Sequence, residues 1–356
     1  MAYTSIDNPE LYFQVKTYSG TDASPQAFTL DGDEDMQPDM VWIKNRGYAN
    51  KHVLFDSVRG VNKSVTSDSN AAEVDQNSDG GYVSAFGSDG FTLTEGSSSD
   101  NDTNDDRYTY VAWCWKAGTT SSLSGGDITP SPYSYNATSG FGIYKYTGNG
   151  STDQEIPHGL GKKPQMIFFK RLDSSTNWVV QSNLLGNRVQ LVINDTTAQN
   201  TDSRLGASDD WSTTIFNVGT YGDMNSSGDP HVAYAFCNIQ GYSKIGTYTG
   251  NGDNDSPFIY LGFRPAFIIV KNIDSGTPDW VCWDNKRNGR NTDDNEKLYP
   301  NSTNAEANIS EIDLLSNGFK LRSGGTENNT SGEKYIYIAW AEAPFVNSNG
   351  VPCNAR

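Results

Sequence analysis

Short apolar runs and polar turns alternate along the whole chain. Runs such as MVWIKN from Met40 and FIIVKN from Phe267 are bounded by turns rich in Gly, Asn, Asp and Ser. Runs of about four to eight residues of this composition are typical of β-strands, and no long stretch has the apolar period of a helix. Because an antiparallel sheet buries one face against another layer, the pattern predicts an all-β chain of antiparallel β-sandwiches, jelly-roll or lectin-like.

One series of phrases occurs three times. It opens at Tyr18 in TYSG, at Tyr146 in YTGNG and at Tyr248 in YTGNG. A proline then begins an apolar run that ends in lysine, and the three runs are Pro38–Lys44, Pro164–Lys170 and Pro265–Lys271. The repetition predicts three tandem units of about 100 residues each. The phrase TGNG is predicted to be a hairpin turn, because Asn-Gly accepts the positive φ angles of two-residue hairpins.

The repeats also predict the division of the chain. It runs as an attachment arm at 1–14, a first sandwich at 15–118, a Ser/Gly/Pro linker or loop at 119–140, a second sandwich at 141–245, a third at 246–345 and a tail at 346–356. The arm has no counterpart in the other units, so we expect the sandwiches to fold without it. The closing strands are matched by their small residues, with Ala112-Trp113 opposite Ala235-Phe236 and Ala339-Trp340.

Candidate ligand-binding residues come from the alternation of faces. Val53, Val179 and Val281 hold equivalent positions, so the residue before each of them points to the opposite face. If the valines face the core, Trp178 and Trp280 face outward and could stack on a sugar, together with Tyr299 in the loop that follows. The alternative is that these tryptophans pack under a loop, as large apolar side chains usually do.

Composition excludes some partners. The chain has 43 Asp and Glu against 26 Lys and Arg, a net charge of −17, and such a surface repels phosphate backbones. We therefore expect no nucleic-acid partner, and the absence of a long apolar run predicts no membrane insertion. The 4 cysteines are far apart without paired spacing, which predicts free thiols.

Signals of catalysis are weak. His52, His158 and His231 lie in unrelated contexts, and the acidic residues lie in turns, where Asp and Asn suit the backbone geometry. We expect no enzymatic activity and no cofactor. Asp31, Asp33 and Asp35 in DGDED resemble the start of a calcium loop, but Met36 stands where that loop needs glycine. An irregular calcium site at these three residues remains as an alternative.

The wording of the units resembles that of a known family. The phrases IDNPELYFQVKTYSG, QPDMVWIKNR, HVLFDSVRG, DGFTLTEG and YVAWCWKAG resemble a repeat domain of unknown function in virion and tail-fibre-like structural proteins of marine bacteriophages, of the cyanophage and pelagiphage type. The resemblance covers nearly the whole chain and implies a structural component of a particle. It carries no catalytic residues.

Three functions follow from these expectations. The first is a receptor-binding or tail-fibre-like component of the virion surface that contacts host glycan or protein. The second is a capsid decoration or fibre protein whose partners are other virion proteins, and a third is a polysaccharide depolymerase. A protein of this kind is made in the host cytoplasm and released by lysis, and particle symmetry favours a homo-oligomer, a trimer being the simplest.

Overall fold

The fold is known from a computed structural model that describes residues 3–75, 81–95, 102–287 and 296–353. In this part of the chain helix is limited to one turn, α1 (Gly222–Asn225), and two 3₁₀ turns at Pro9–Leu11 and Ser208–Asp210. Nearly everything else that is regular is antiparallel β-sheet, as the sequence predicts. None of the described helices has the length and apolarity needed to cross a bilayer.

The strands fall into three consecutive segments, named here segment 1 (residues 13–118), segment 2 (119–241) and segment 3 (242–344). Segment 1 contains β1 (Phe13–Ser19), β2 (Gln26–Phe28), β3 (Met40–Asn45), β4 (His52–Asp56), β5 (Lys63–Thr66), β6 (Val74–Asp75), β7 (Tyr82–Gly87), β8 (Gly90–Thr94) and β9 (Thr109–Trp115). Segment 2 contains β10 (Tyr133–Asn136), β11 (Phe141–Thr147), β12 (Gln154–Pro157), β13 (Met166–Arg171), β14 (Val179–Ser182), β15 (Val189–Gln190), β16 (Asn200–Thr201), β17 (Ile215–Val218) and β18 (Pro230–Phe236). Segment 3 contains β19 (Ser243–Thr249), β20 (Phe258–Tyr260), β21 (Phe263–Asn272), β22 (Val281–Asp284), β23 (Glu296–Lys297), β24 (Ala307–Asn308), β25 (Ile312–Leu315), β26 (Gly318–Leu321) and β27 (Lys334–Pro344).

Each segment carries one main sheet, and the three main sheets share a strand order. The orders are β1-β9-β3-β4-β5-β6, β10-β11-β18-β13-β14 and β19-β27-β21-β22. In each, the first long strand of the segment (β1, β11 or β19) pairs with the closing strand (β9, β18 or β27). The closing strand pairs in turn with the strand that carries the repeated lysine. Segment 2 has one more strand, β10, which pairs with β11 at the edge of the sheet. Smaller sheets lie over the main ones, namely β2-β8-β7, β12-β17 and β20-β26-β25.

Both faces of a main sheet are buried. On β3, Val41 and Ile43 pack with Phe91 of the small sheet β2-β8-β7, whereas Met40 and Trp42 point into a core shared by all three segments. The small sheet covers one face of the main sheet, and the other two main sheets cover its opposite face. The predicted alternation of faces is therefore correct, but the face opposite the valines is also interior.

Aromatic rings of the three closing strands meet at the centre of the molecule. The ring centroid of Trp340 lies 5.1 Å from that of Trp115 and 5.4 Å from that of Phe236. Trp115 pairs with Met40, and Phe236 pairs with Met166, so these two aromatics hold equivalent places. The predicted match of Trp113 with Phe236 is wrong by two residues, because a slip of two leaves every side chain on the same face and the pattern cannot detect it.

The amino-terminal residues are part of this body. Phe13 is the first residue of β1, is 1% exposed and stacks within the central cluster, and Ile6 is buried in the same core. The Thr4 hydroxyl donates to the carbonyl of Gln240 at 2.8 Å. The expectation that the sandwiches fold without residues 1–14 does not fit these contacts. Similarly, β10 lies inside the stretch predicted as a linker and pairs with β11.

The phrase TGNG does not form a hairpin. The strand before it and the strand after it belong to different sheets, since β11 pairs with β18 whereas β12 pairs with β17. The turn instead carries the chain from the main sheet to the small one. Gly150 has a φ of +71°, and a Cβ on Gly148 would lie 2.3 Å from the carbonyl oxygen of Ser226. Backbone geometry is sufficient to require both glycines.

Candidate functional site

The three repeated lysines end in the interior. Lys44, Lys170 and Lys271 are each 0% exposed. Each ammonium donates to a carbonyl of its own segment, and the acceptors are Asn50 at 2.7 Å, Thr176 at 2.7 Å and Pro278 at 2.7 Å. Burial lowers the pKa of all three lysines to about 8.

Each of these lysines also reaches into another segment. Lys44 donates to Thr303 of segment 3 at 3.0 Å, and Lys170 donates to Asn70 of segment 1 at 3.1 Å. Lys271 donates to the carbonyl of Thr196 in segment 2 at 2.7 Å. Segment 1 thus binds segment 3, segment 3 binds segment 2, and segment 2 binds segment 1. The repeated lysines close the three segments into a ring within one chain.

Trp178 and Trp280 take part in the same closure. Both are 1% exposed. The indole N–H of Trp178 donates to the carbonyl of Thr66 at 2.8 Å, and that of Trp280 donates to the carbonyl of Val192 at 2.9 Å. Neither ring presents a face to solvent, so the packing alternative describes both residues. The alternation of faces left both alternatives open, because the sequence does not show that a second sheet covers this face.

The third predicted aromatic, Tyr299, has a different environment. It is half-buried at the margin of the segment 3 core, and the Lys297 ammonium lies 5.3 Å from its ring centroid. Burial raises the pKa of Tyr299. The residue therefore borders a buried polar cluster and does not stand alone on the surface.

The three histidines are interior and hydrogen-bonded. His52 accepts at Nδ1 from the indole N–H of Trp42 at 3.1 Å, and His158 accepts at Nδ1 from the backbone N–H of Leu160 at 3.0 Å. His231 stacks on Tyr146, with 5.3 Å between ring centroids. Burial lowers the pKa of all three, that of His158 to about 4. A general base needs access to its substrate, and each of these rings is 0% exposed.

The acidic loop Asp31, Asp33 and Asp35 is exposed, and its carboxylates do not converge. Asp31 forms a salt bridge with Lys16 at 2.5 Å. Among the described residues, three carboxylates whose oxygens lie within 4.8 Å of one another are found instead at Asp22, Asp105 and Asp106. These come from separate loops, so their spacing in sequence gives no metal-binding signal. Arg107 already holds the carboxylate of Asp105.

An exposed aromatic pair lies on β20. Phe258 is 45% exposed and Tyr260 is 47% exposed, while Ile259 between them is buried against the segment 3 core. The Lys244 ammonium lies 5.6 Å from the centroid of the Tyr260 ring. Two rings on one face of a short strand offer an apolar surface to stack on, with a cation beside it. Sequence reasoning missed this pair, although the alternation in PFIYLG marks it.

Comparison with known proteins places the chain in a family without assigning it an activity. The profile of a domain of unknown function, DUF7483, matches residues 8–344. No curated protein and no solved structure matches the chain. Since the matched region covers nearly the whole sequence, the chain belongs to the DUF7483 family.

Proposed function

We propose that this protein is a non-enzymatic component of a bacteriophage particle surface, a tail-fibre-like or receptor-binding protein. The resemblance of its repeated phrases to marine phage structural proteins supports this setting. The burial of His52, His158 and His231 in structural hydrogen bonds supports a role in binding instead of catalysis. Because its three main sheets pack around one core, the protein can present a binding surface of fixed shape.

The exposure of the aromatic pair Phe258 and Tyr260 supports a role in adhesion. Many rings of the molecule are buried, including Trp178 and Trp280, whereas these two alternate outward on a strand that is an edge of its sheet among the described residues. Aromatic faces stack on the apolar faces of sugars, and polar loops around them supply hydrogen bonds. The proposed partner is a host-surface glycan.

Binding of the full chain to host cells and to arrayed glycans tests the proposal. Replacing Phe258→Ser and Tyr260→Ser together should weaken binding by about tenfold or more, since each aromatic contact contributes on the order of 1 kcal/mol. Tyr48→Ser is the matched control, because Tyr48 is 53% exposed but lies in segment 1. Binding that is equal in both variants, or absent in the wild type, would exclude this surface as an adhesion site.

Capsid decoration is the second candidate. Within the described residues the chain has no coiled-coil or β-helical shaft, which favours a compact attachment over a long fibre. Electron microscopy of labelled particles separates the two. Label at the tail supports adhesion, whereas label at regular positions on the shell supports decoration.

A further inference from the structure

Three polar side chains meet in the interior of segment 3. Lys297 is 1% exposed, Glu311 is 4% exposed and Asn328 is 0% exposed. The Lys297 ammonium lies 3.0 Å from both Oε1 and Oε2 of Glu311, and the amide of Asn328 donates from Nδ2 to Oε2 of Glu311 at 3.2 Å. A single carboxylate therefore contacts both an amine and a carboxamide.

The cluster is shielded from solvent and closely surrounded by other side chains. Tyr299 lies beside Lys297, and the hydroxyl of Tyr248 donates to the backbone carbonyl of Asn328 at 2.7 Å. Oδ1 of Asn328 has no hydrogen-bond partner within the described part of the chain. A buried ion pair with an amide beside it adds little to stability compared with apolar residues of the same size, so its presence calls for another explanation.

We propose that Lys297 and Asn328 join through an amide bond between their side chains, with Glu311 as the catalytic residue that moves the protons. Both reacting groups contact the same carboxylate, and all three side chains are shielded from the bulk water that would hydrolyse an intermediate. The cross-link does not depend on the proposed function, because the chemistry involves only this chain.

The reaction needs no oxidant and no external reagent. The Lys297 ammonium first gives a proton to Glu311 along their hydrogen bond, which leaves a neutral amine and a neutral acid. After a half-turn of the Asn328 amide, the acid donates to Oδ1 while the lone pair of Nζ forms a bond to Cγ. Glu311 then takes a proton from Nζ and passes it to the amide nitrogen, the bond from Cγ to that nitrogen breaks, and ammonium leaves with the remaining proton. The products are one secondary amide, one ammonium ion and the regenerated carboxylate.

The electrostatics of the pair suit this sequence. Burial raises the pKa of the Glu311 carboxyl even with the Lys297 ammonium beside it. Burial also acts to lower the pKa of Lys297, but the Glu311 carboxylate outweighs it and the pKa of Lys297 is raised. The resting state is therefore an ion pair, and one proton transfer within it produces both the nucleophile and the acid.

The other segments lack these reactants. Lys297 comes directly before Leu298, which pairs with Cys282 of β22. The corresponding residue comes directly before the partner of β4 in segment 1 and of β14 in segment 2. It is Ser64 in segment 1 and Gln190 in segment 2. The backbone carbonyl of Asn328 accepts a hydrogen bond from the hydroxyl of the repeated tyrosine, Tyr248. The carbonyl in this place belongs to Thr103 in segment 1 and to Met224 in segment 2. At these equivalent positions, lysine and asparagine occur together only in segment 3. The shared fold therefore does not require them, and they serve a purpose particular to segment 3.

Intact mass measurement of the purified, denatured full chain tests the proposal. The wild type should be lighter than its sequence by one ammonia molecule, and proteolysis should release a branched peptide that joins Lys297 to Asn328. Asn-Gly pairs such as Asn251-Gly252 also lose ammonia when they cyclise, so the branched peptide is essential. A chain with its full sequence mass and two linear peptides would overturn the proposal.

Variants separate the cross-link from a merely structural cluster. Lys297→Met and Glu311→Gln should keep the full sequence mass and melt at a lower temperature than the wild type. Asn328→Asp should react with loss of water and reach the same final mass as the wild type, because both products contain the same amide. Glu333→Gln is the matched control, since Glu333 accepts from the amide of Asn272 at 2.5 Å without being part of the cluster, and it should keep the branched peptide. A branched peptide that persists in Glu311→Gln would refute the role of Glu311.

Discussion

Buried polar side chains in this protein act mainly as connectors between strands. The ammonium of Lys271 has backbone carbonyls of two segments at 2.7 Å, and the indole of Trp280 donates to a third carbonyl. A buried carbonyl without a partner costs about 1 to 3 kcal/mol, so a donor that satisfies two loops at once fixes both of them. Residue types that catalytic sites often use, such as lysine, hold loops in place here.

The histidines give a prediction at this scale. The folded-state pKa of His158 is about 4, below its unfolded value of 6.5, so the unfolded chain binds more protons between these pH values. The contribution of His158 to stability is therefore complete above pH 6.5 and is lost as the pH falls toward 4. Relative to His158→Gln, the wild type should lose about 3 kcal/mol of unfolding free energy over this range.

Denaturant titrations at several pH values measure this difference. The glutamine can still accept from Leu160, so both proteins should fold at neutral pH. Parallel pH profiles for the two proteins would show that His158 is protonated equally in both states and would contradict the burial argument.

At the scale of elements, the important contact of the TGNG turn comes from outside the phrase. Asn225 accepts from the N–H of Asn149 at 2.9 Å and donates to the carbonyls of Ser151 and Gly219. Asn329 makes the matching bond to Asn251 in segment 3, also at 2.9 Å. A distant asparagine thus holds the crossover between the two layers of each sandwich.

This arrangement predicts opposite results for two asparagines. Asn225→Ala should destabilise the protein by about 2 kcal/mol, because it leaves one buried carbonyl, that of Gly219, and two partly buried backbone groups without partners. Asn149→Ala, within the repeated phrase itself, should cost about 0.5 kcal/mol or less, because that side chain is exposed. Thermal unfolding of both variants checks the order, and equal losses would show that the phrase carries the turn by itself.

At the scale of the whole molecule, the inner faces of three main sheets form one core. Trp115, Phe236 and Trp340 come from different segments and touch one another there. Buried hydrogen bonds to carboxylates also join neighbouring segments, since Tyr234 donates to Asp56 at 2.7 Å and Trp113 donates to Asp284 at 3.0 Å. A segment removed from the ring exposes this entire face to water.

Segment 2 (residues 119–241) expressed alone should therefore fail to fold cooperatively. The fragment loses the partners of Trp178 and Phe236, and the exposed apolar surface favours aggregation. Calorimetry and hydrophobic-dye binding would detect this, and the intact chain should unfold in one transition. A fragment that melts sharply with native-like stability would show that the segments are independent.

Much of the fold was predictable because it depends on local pattern. The period of two along strands such as β3 and β21 reveals an all-β protein, and the recurring interval from proline to lysine aligns the three stretches. The sequence does not specify which layer covers which face. The side that Trp178 faces therefore stays open in the sequence, and the match of small residues puts Trp113 in the place that belongs to Trp115.

By itself, the sequence determined the antiparallel strands, the glycines required at the turns and the acidic net charge, since these follow from the residues and their neighbours. Only the tertiary structure decided that both faces of each main sheet are interior and that the repeated lysines join different segments. It also brought Lys297, Glu311 and Asn328 into contact. Those outcomes depend on packing between residues far apart in the chain, where the identity of a residue does not reveal its partner.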